Sequence, residues 1–591
     1  MQGRSQQGCN TILYVKLVPL TAQAFGVIVG RVLVSSSKYI AEKEGYVLYP
    51  KSDRLLRVAE ANEITAYNLP AAIAIPDDRR FLWQLAQHGF TTPDLLRDYS
   101  WPHRPRSHRP WTDSPEQRAV SSFLVSNNRG FVLSDPRTGK TISTLWAIDW
   151  LLSGVMKGQK AIVFAPKSTH FDVWMAEIEW HLPHLRAMVL NDKANKRYPE
   201  LMREDIDIWI ANYETITCGA WIEKNLKSRQ NELMIRAKSP ADALFNHRSD
   251  INIIVTDEAT TFKRPSAIKS WIFKRYIFGK RYVWPLTGTP TAESPMDAHY
   301  LAKLFRVDYM EKTQVFKDKT MIRVSEFSWM RRPGAERYAA AVLSPNIRYS
   351  YGDVFDADLQ DITLEKCLPG PETLSAVKRF MGEKVLELGA GKLTAVNEGV
   401  SQLKLLQMAS GAVYTDQNEG RTVNMLSGAP NKLAALKRLI LKRGKSLVFI
   451  PYTFVGDKII VPYLKQLGMS FEYVTSDMSP QQRAEAFDRF RFEPAKVACI
   501  ADPRLMAHGL DLSISQTCIW FGPCQKGETF QQANRRVVKP AAKTMVYCLW
   551  KTPLEKKAYK RLIDKRSFQG LVLEEIEALA NGKTYEDLDN D

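Results

Sequence analysis

Ser134-Asp-Pro-Arg-Thr-Gly-Lys-Thr141 is the stretch on which the reading of this chain turns. An apolar run, Phe131-Val132-Leu133, precedes it. Ile142-Ser-Thr-Leu-Trp-Ala-Ile-Asp-Trp-Leu-Leu152 follows, with apolar residues at helical spacing. Strand, loop and helix in that order are what a phosphate-binding loop requires. Backbone N–H groups of such a loop wrap a polyphosphate, and the helix dipole behind them favours an anion. The spacing puts Thr138 and Gly139 in the loop, Lys140 on the β- and γ-phosphates and the Thr141 hydroxyl on Mg²⁺. Ser134 departs from the pattern, which has its first glycine there.

The composition sets the frame for that loop. At 591 residues the chain is too long for one core, so three or four domains are expected. Hydrophobic content of 45% with 25% charged residues is that of a soluble globular protein. No apolar run approaches the roughly 18–20 residues a bilayer span needs, so no membrane partner is expected. The start, Met1 to Cys9, is polar and the apolar run after it is broken by Lys16, so no secretory leader is expected. Seven cysteines are scattered without a C-x-x-C pair, and the nine histidines form no H-x₃-H cluster. That argues for a reducing cytoplasm and against a disulfide framework or a structural metal. Eighty-two basic residues against sixty-four acidic ones give a net charge of +18, which suggests a polyanionic partner such as nucleic acid; solubility is the plainer alternative.

Along the chain, residues 1–100 mix strand-like runs (Thr11–Val15, Phe25–Val29, Gly45–Tyr49) with a helix-like stretch from Asp78, and read as a small α+β accessory domain. Residues 101–113 are rich in Pro and Arg and read as an extended linker. From 114 to 307, β-rich runs at Gly130, Ala161, Ile206, Ile251 and Tyr282 alternate with helical stretches. Apolar strands interleaved with helices describe a parallel sheet covered on both faces. The pattern returns over 431–560 with runs at Ser446, Val497, Thr517 and Thr544, so two α/β domains are expected in tandem. Residues 308–430 read as a helix-rich connector, and 561–591 as a short amphipathic helix with an acidic end.

Two further clusters bear on chemistry. The apolar strand Ile251–Val255 runs into Thr256-Asp-Glu-Ala-Thr260. An aspartate at a strand's carboxyl end can hold Mg²⁺, and an adjacent glutamate can orient or deprotonate a water, which assigns those roles to Asp257 and Glu258. Ser114-Pro-Glu-Gln117 precedes the first strand, and the Gln117 amide has the donor and acceptor that suit an adenine edge. Trp174 reads as a packing residue, and burial accounts for Cys518 and Cys524.

Taken in order, Pro115-Glu-Gln117, Asp135–Thr141, Ala165-Pro-Lys-Ser168, Asp257-Glu-Ala-Thr260 and Leu286-Thr-Gly-Thr-Pro290 resemble the motifs of superfamily 2 helicases, and within them the Swi/Snf remodeller-like branch. In the second half, Lys445–Tyr452, Gly509-Leu-Asp-Leu512 and Gln532-Ala-Asn-Arg-Arg536-Val-Val-Lys539 resemble the later motifs. The resemblance covers residues 111–555. The compact loop and small N-terminal domain also look like phage-encoded members, which would put the protein in a host cytoplasm. It implies two RecA-like domains, with ATP and Mg²⁺ between them. Gln117, Ser134, Thr138, Gly139, Lys140 and Thr141 would hold the nucleotide from one side, and Gly509, Asp511, Gln532, Arg536 and Lys539 from the other. Thr141 and Asp257 would hold the metal. Lys140, Asp257, Glu258 and Arg536 would carry catalysis, and Thr287, Gly288 and Thr289 would couple nucleotide state to nucleic acid. Pro166, Lys167, Asn212, Tyr213 and Lys263 fall where a strand backbone would be contacted.

The sixth motif departs from the family pattern, which usually ends in arginine followed by Gly-Gln. Lys539 takes the finger position here, and Ala541-Ala542 follow. Lysine is a point charge without arginine's planar fork. Either Arg536 or its neighbour Arg535 supplies the missing charge, or hydrolysis is slow. The expected activity is an ATP-dependent DNA helicase or translocase acting in replication, recombination or repair on duplex or forked DNA, without sequence preference. The alternatives are a nucleic-acid-binding scaffold with a weakened ATPase, and an RNA-directed helicase. A protein partner for residues 1–100 is left open.

Overall fold

The computed structural model describes residues 41–43, 45–102, 114–136, 138–224, 231–262, 267–325, 328–350, 361–368, 375, 385–388, 391–394, 398–417, 420–426, 430–506, 512, 514–515, 517–537 and 544–564. The chain divides into two compact units, with the boundary after Leu95. The first holds a four-stranded antiparallel sheet in the order Ala41–Lys43, Tyr46–Tyr49, Ile73–Pro76, Tyr67–Asn68, with helices Asp53–Ala61 and Arg79–Gln87. Ser52 and Asp78 start those helices by accepting hydrogen bonds from first-turn N–H groups. This is the expected α+β domain; the runs Thr11–Val15 and Phe25–Val29 lie outside the described residues.

The second unit holds two lobes. Seven parallel strands form lobe 1: β1 (Phe131–Val132), β2 (Lys160–Phe164), β3 (Ala187–Val189), β4 (Ile208–Ala211), β5 (Ile251–Asp257), β6 (Tyr282–Leu286) and β7 (Asn346–Ile347). Their order in the sheet is β7-β1-β6-β5-β2-β4-β3. Strands β2, β4, β5 and β6 are buried almost throughout, which is why they read as unbroken apolar runs. Three helices matter for the site: α1 (Pro115–Ser126), α2 (Lys140–Ser153) and α3 (Pro295–Phe305). Helix α2 is buried from Ile142 to Leu151, so the loop before it is anchored on a fixed element.

Lobe 2 is a six-stranded parallel sheet: β8 (Asp361–Lys366), β9 (Ser446–Phe449), β10 (Phe471–Val474), β11 (Ala498–Ala501), β12 (Thr517–Trp520) and β13 (Met545–Trp550). Its order is β8-β13-β12-β9-β11-β10. Helix α4 (Gly527–Arg535) follows β12. Under the sheet lies a buried ion pair: Lys432 Nζ donates to Glu555 Oε1 at 2.5 Å and to the Phe521 carbonyl at 2.7 Å, with both side chains fully buried.

The stretch 308–430, expected as a helix-rich connector, holds three helices (Thr313–Thr320, Ala335–Val342, Glu398–Ala409) and three β-hairpins among its described residues. It is shared between the lobes. Ala335, Ala339 and Ala340 pack into the lobe 1 core, β7 completes that sheet, and β8 completes the sheet of lobe 2. Short strands such as β3, β7 and β10 lack the long apolar run that marks a central strand. The linker from 103 to 113 and the tail from 565 lie outside the described residues.

Candidate functional site

The loop between β1 and α2 closes on its own lysine. Lys140 Nζ donates to the carbonyls of Ser134 (2.8 Å) and Asp135 (2.9 Å), and the Thr138 hydroxyl donates to the Asp135 carbonyl at 2.8 Å. Gly139 has φ +84°, in the left-handed region, and a Cβ there would stand 2.2 Å from Gln117 Nε2. Backbone conformation and space therefore both demand glycine at 139. Gln117 is 1% exposed: its Oε1 accepts the Ser114 N–H at 3.2 Å and its Nε2 donates to the Thr138 carbonyl at 3.5 Å. With the Ser114 hydroxyl accepting from the Gln117 N–H, the pair forms a capping box. Gln117 thus starts α1 and props the loop with the same side chain.

Ser134 has a use that glycine cannot serve. Its hydroxyl accepts the Tyr349 N–H at 3.0 Å, and the next residue's N–H, at Asp135, donates to the Tyr349 carbonyl at 3.0 Å. The start of the loop is stitched to the chain as it leaves lobe 1 beyond β7.

The acids stand at the carboxyl end of β5, where ligands of open parallel sheets bind. Asp257 Oδ2 accepts the Trp174 indole N–H at 3.1 Å, and Oδ1 accepts the N–H of Glu258 at 3.0 Å. Glu258 adopts φ +51°, a left-handed conformation that costs a non-glycine residue about 1–3 kcal/mol. Burial raises the Asp257 carboxyl above its ordinary pKa, opposed by the Trp174 hydrogen bond and by the charges of Lys140 and Arg536. Burial likewise lowers Lys140, opposed by Glu258, Asp257 and Asp135. A lysine and two carboxylates gathered in a desolvated niche are suited to a more highly charged anion and its cation. The left-handed loop glycine, the N-terminus of α2 and an aspartate already oriented by two donors fit a Mg²⁺–nucleotide.

Two arginines reach this site from lobe 2. Arg536, buried after the end of α4, is near enough to Asp257 to pull its carboxyl down. Arg535 places Nη2 3.1 Å from Asp135 Oδ1 and Nη1 3.5 Å from the Gly288 carbonyl. At its other end, α4 is met by Glu293, whose Oε1 accepts the Gly527 N–H at 3.2 Å. On the Gly288 loop, the Thr289 N–H donates to the Thr287 hydroxyl at 3.1 Å, and the buried Thr289 hydroxyl has no hydrogen-bond partner among the described residues.

Beside Glu258 a cavity of about 660 Å³ is walled by Pro166, Lys167, Asn212 and Tyr213 of lobe 1 and by Lys526, Thr529 and Gln532 of lobe 2. Within it the four sequence-designated lobe 1 residues differ in exposure. Lys167 is exposed and paired with Asp192 at 2.7 Å. Asn212 is buried, its Oδ1 accepting the Thr215 N–H and hydroxyl at 3.1 Å each. Tyr213 packs edge-on against Phe262 in the lobe 1 core. Lys263, Gly509, Asp511 and Lys539 lie outside the described residues.

Sequence reasoning assigned Trp174 to packing. It is fully buried, as that reading requires, but its indole also holds Asp257, and only the distance between residues 174 and 257 in the chain hid this. Glu293 carried no motif signal.

Residues 76–342 match the SNF2-related domain and residues 431–541 the helicase conserved C-terminal domain. The "Putative protein p41" of Acyrthosiphon pisum secondary endosymbiont phage 1 is 22% identical over 498 residues, covering 78% of this chain and 98% of that one. The Sulfolobus solfataricus SWI2/SNF2 ATPase core in complex with dsDNA is 19% identical, covering 80% of this chain and 95% of its own, at a TM-score of 0.34. The Sulfolobus solfataricus SWI2/SNF2 ATPase core domain is 18% identical, covering 80% and 92%, also at 0.34. With the two domains matched in order, this chain belongs to the Swi/Snf-like branch of the superfamily 2 helicases.

Proposed function

We propose that this protein is an ATP-driven translocase on duplex DNA that holds its track by the backbone. The observation that carries the proposal is the shared cavity: residues designated for strand contact and the glutamate designated for water activation wall the same space, together with Gln532 of lobe 2. Strand occupancy and hydrolysis are thereby linked through a common wall. The net charge of +18 supports a polyanionic track, and backbone contacts position a protein without reading sequence.

Lys140 would exchange the Ser134 and Asp135 carbonyls for phosphate oxygens, releasing the loop to wrap them. Gly139 and the first N–H groups of α2 would take the remaining phosphate contacts. Asp257, oriented by Trp174 and the Glu258 N–H, would hold Mg²⁺ with Thr141. The metal, when bound, neutralises phosphate charge as it develops. Glu258 would take a proton from the attacking water, and Arg536 would face that reaction from lobe 2. Closure would draw α4 onto lobe 1 through Glu293, Gly288 and Asp135, moving the Lys526–Thr529 wall against the strand.

The test is ATP hydrolysis by the full chain with and without duplex DNA. Stimulation by DNA that disappears in Lys140→Ala is expected. An ATPase indifferent to DNA and RNA would sink the proposal. Triplex displacement beside unwinding of a forked duplex separates translocation from strand separation.

A further inference from the structure

A charge sits deep in the helix that follows the phosphate loop. Asp149 of α2 is 4% exposed, on a helix buried from Ile142 to Leu151. A buried carboxylate costs stability unless it is paired, and apolar side chains in place of such a group and its partner are often neutral or better. Two groups meet this one: the Tyr99 hydroxyl donates to Asp149 Oδ2 at 2.5 Å, and His184 Nε2 lies 2.7 Å from Oδ1. Burial and the Asp149 charge push the Tyr99 phenol far up in pKa, so it stays a donor. One turn back toward the loop, the fully buried Trp146 donates its indole N–H to the Pro102 carbonyl at 2.8 Å. Between these anchors Trp101 packs edge-on against Tyr99 (5.2 Å between ring centres) and Trp146 (5.3 Å), and the Arg118 guanidinium of α1 lies 5.3 Å from its ring centre. Trp101 holds φ +50°, a conformation that a bulky residue keeps only where its surroundings over-determine it. Residues 96–102, just past the boundary after Leu95, thus form a strap laid across α1 and α2.

We propose that this strap sets the nucleotide affinity of the chain by fixing α2 against α1, with Tyr99 and Trp101 as positioning residues. The assignment rests on the nucleotide-binding reading above and adds a lever outside the site. The two helices it joins are those that shape the phosphate loop. Lys140 opens α2 six residues, about 9 Å, before Trp146. Gln117, which abuts Gly139, is the neighbour of Arg118 on α1. The helices also meet at Ser121, whose hydroxyl donates to the Ser143 carbonyl at 2.8 Å. The docked strap keeps Gly139 and the N-terminus of α2 where a phosphate meets them. With the strap released, a nucleotide must first restore that arrangement and binds more weakly. Tyr99 and Trp101 act through Asp149, Trp146 and Arg118 rather than by touching the nucleotide. Linkage makes the effect reciprocal: a strap that tightens nucleotide binding is itself tightened by nucleotide, by the same factor.

The competing account is a tie that only adds stability, and a double variant of the full chain separates the two. Tyr99→Phe with Asp149→Leu removes the buried charge and its donor together, so the thermal midpoint is expected at or above that of wild type. Its dissociation constant for ADP is expected to rise about 5- to 20-fold and KM for ATP with it, while kcat at saturating ATP and DNA stays within about twofold. Trp101→Ala is expected to weaken ADP binding to a similar degree, and Tyr99→Phe alone, which keeps the ring, by about threefold. In wild type, ADP is expected to slow amide hydrogen exchange across residues 96–101, and the double variant to lose that protection. A folded double variant that binds ADP as tightly as wild type, or a wild-type strap whose exchange ADP leaves unchanged, overturns the proposal. A wild-type chain that binds ADP yet hydrolyses no ATP sinks the motor reading alone, because affinity and exchange still decide the strap. One that binds no nucleotide defeats both.

Discussion

Replacing Trp174 with phenylalanine removes one hydrogen bond and little else. The ring stays in a fully buried position, but the N–H that reaches Asp257 Oδ2 at 3.1 Å is lost. A second donor to that carboxylate, the N–H of Glu258 on Oδ1, stays in place. A hydrogen bond to a charged group contributes about 1.5–3 kcal/mol, which is about 10- to 150-fold if all of it falls on metal affinity. Losses of outer partners of metal ligands fall in a similar range, about 10- to 100-fold. The assay is a Mg²⁺ titration of DNA-stimulated ATP hydrolysis at fixed nucleotide, with the thermal midpoint measured in parallel. The midpoint for Mg²⁺ should move upward by at least tenfold, and saturating Mg²⁺ should restore most of kcat. A Mg²⁺ midpoint equal to that of wild type in a folded variant would refute the reasoning, because Asp257 would then be oriented without the indole. A loss of rate that Mg²⁺ does not rescue would also count against it.

Other perturbations follow from the same geometry. Ser134→Gly restores the usual loop glycine but deletes the acceptor for the Tyr349 N–H, so it should lower the thermal midpoint and DNA stimulation by a few-fold rather than improve either; improved activity would contradict the stitch. Lys432→Ala leaves the buried Glu555 without its cation and should destabilise by about 3–5 kcal/mol, whereas Lys432→Met with Glu555→Leu should recover most of that in a denaturant melt. His299 is fully buried, between Tyr309 and Thr313 and stacked on Phe316, and burial with the Lys303 charge lowers its pKa to about 4. The unfolded chain therefore binds this proton first. Stability from this group is complete above about pH 6.5 and falls by up to about 3 kcal/mol as pH drops to about 4, so thermal melts of wild type and His299→Gln should converge with acidification.

The central strands were legible because a parallel sheet covered on both faces needs continuous apolar runs, and β2, β4, β5, β6, β9 and β12 supply them. The edge and joining strands were not. Asn346-Ile347 and Asp361–Lys366 are polar or short, and are strands only because β1 and β13 offer open edges to pair with. The phosphate loop and the two acids announced themselves by residue type at the end of a strand. Trp174 and Glu293 act across 83 and 234 residues of chain, at distances where sequence spacing carries no geometry. Gln117 shows a subtler limit. Its motif position was visible, but the capping box and the contact with Gly139 that fix its side chain come from the fold around it.

Ser134 and Asp135 give the phosphate loop two separate connections. One is to Tyr349, where the chain leaves lobe 1 beyond β7; the other runs from the Asp135 side chain to Arg535 at the end of α4 in lobe 2. The two act on consecutive residues. A phosphate that displaced Lys140 from the Ser134 and Asp135 carbonyls would therefore disturb both connections at once, whereas a ligand confined to the far cavity wall would meet α4 alone, at Lys526 and Thr529. Because α4 is also held at Gly527 by Glu293, it cannot follow a pull at one end without tilting or breaking the contact at the other. If nucleotide and strand bind as proposed, that constraint would make a helix of nine residues a lever between them. The missing first glycine of the loop has a structural counterpart too: serine exchanges backbone freedom at the loop's start for a hydrogen bond to Tyr349.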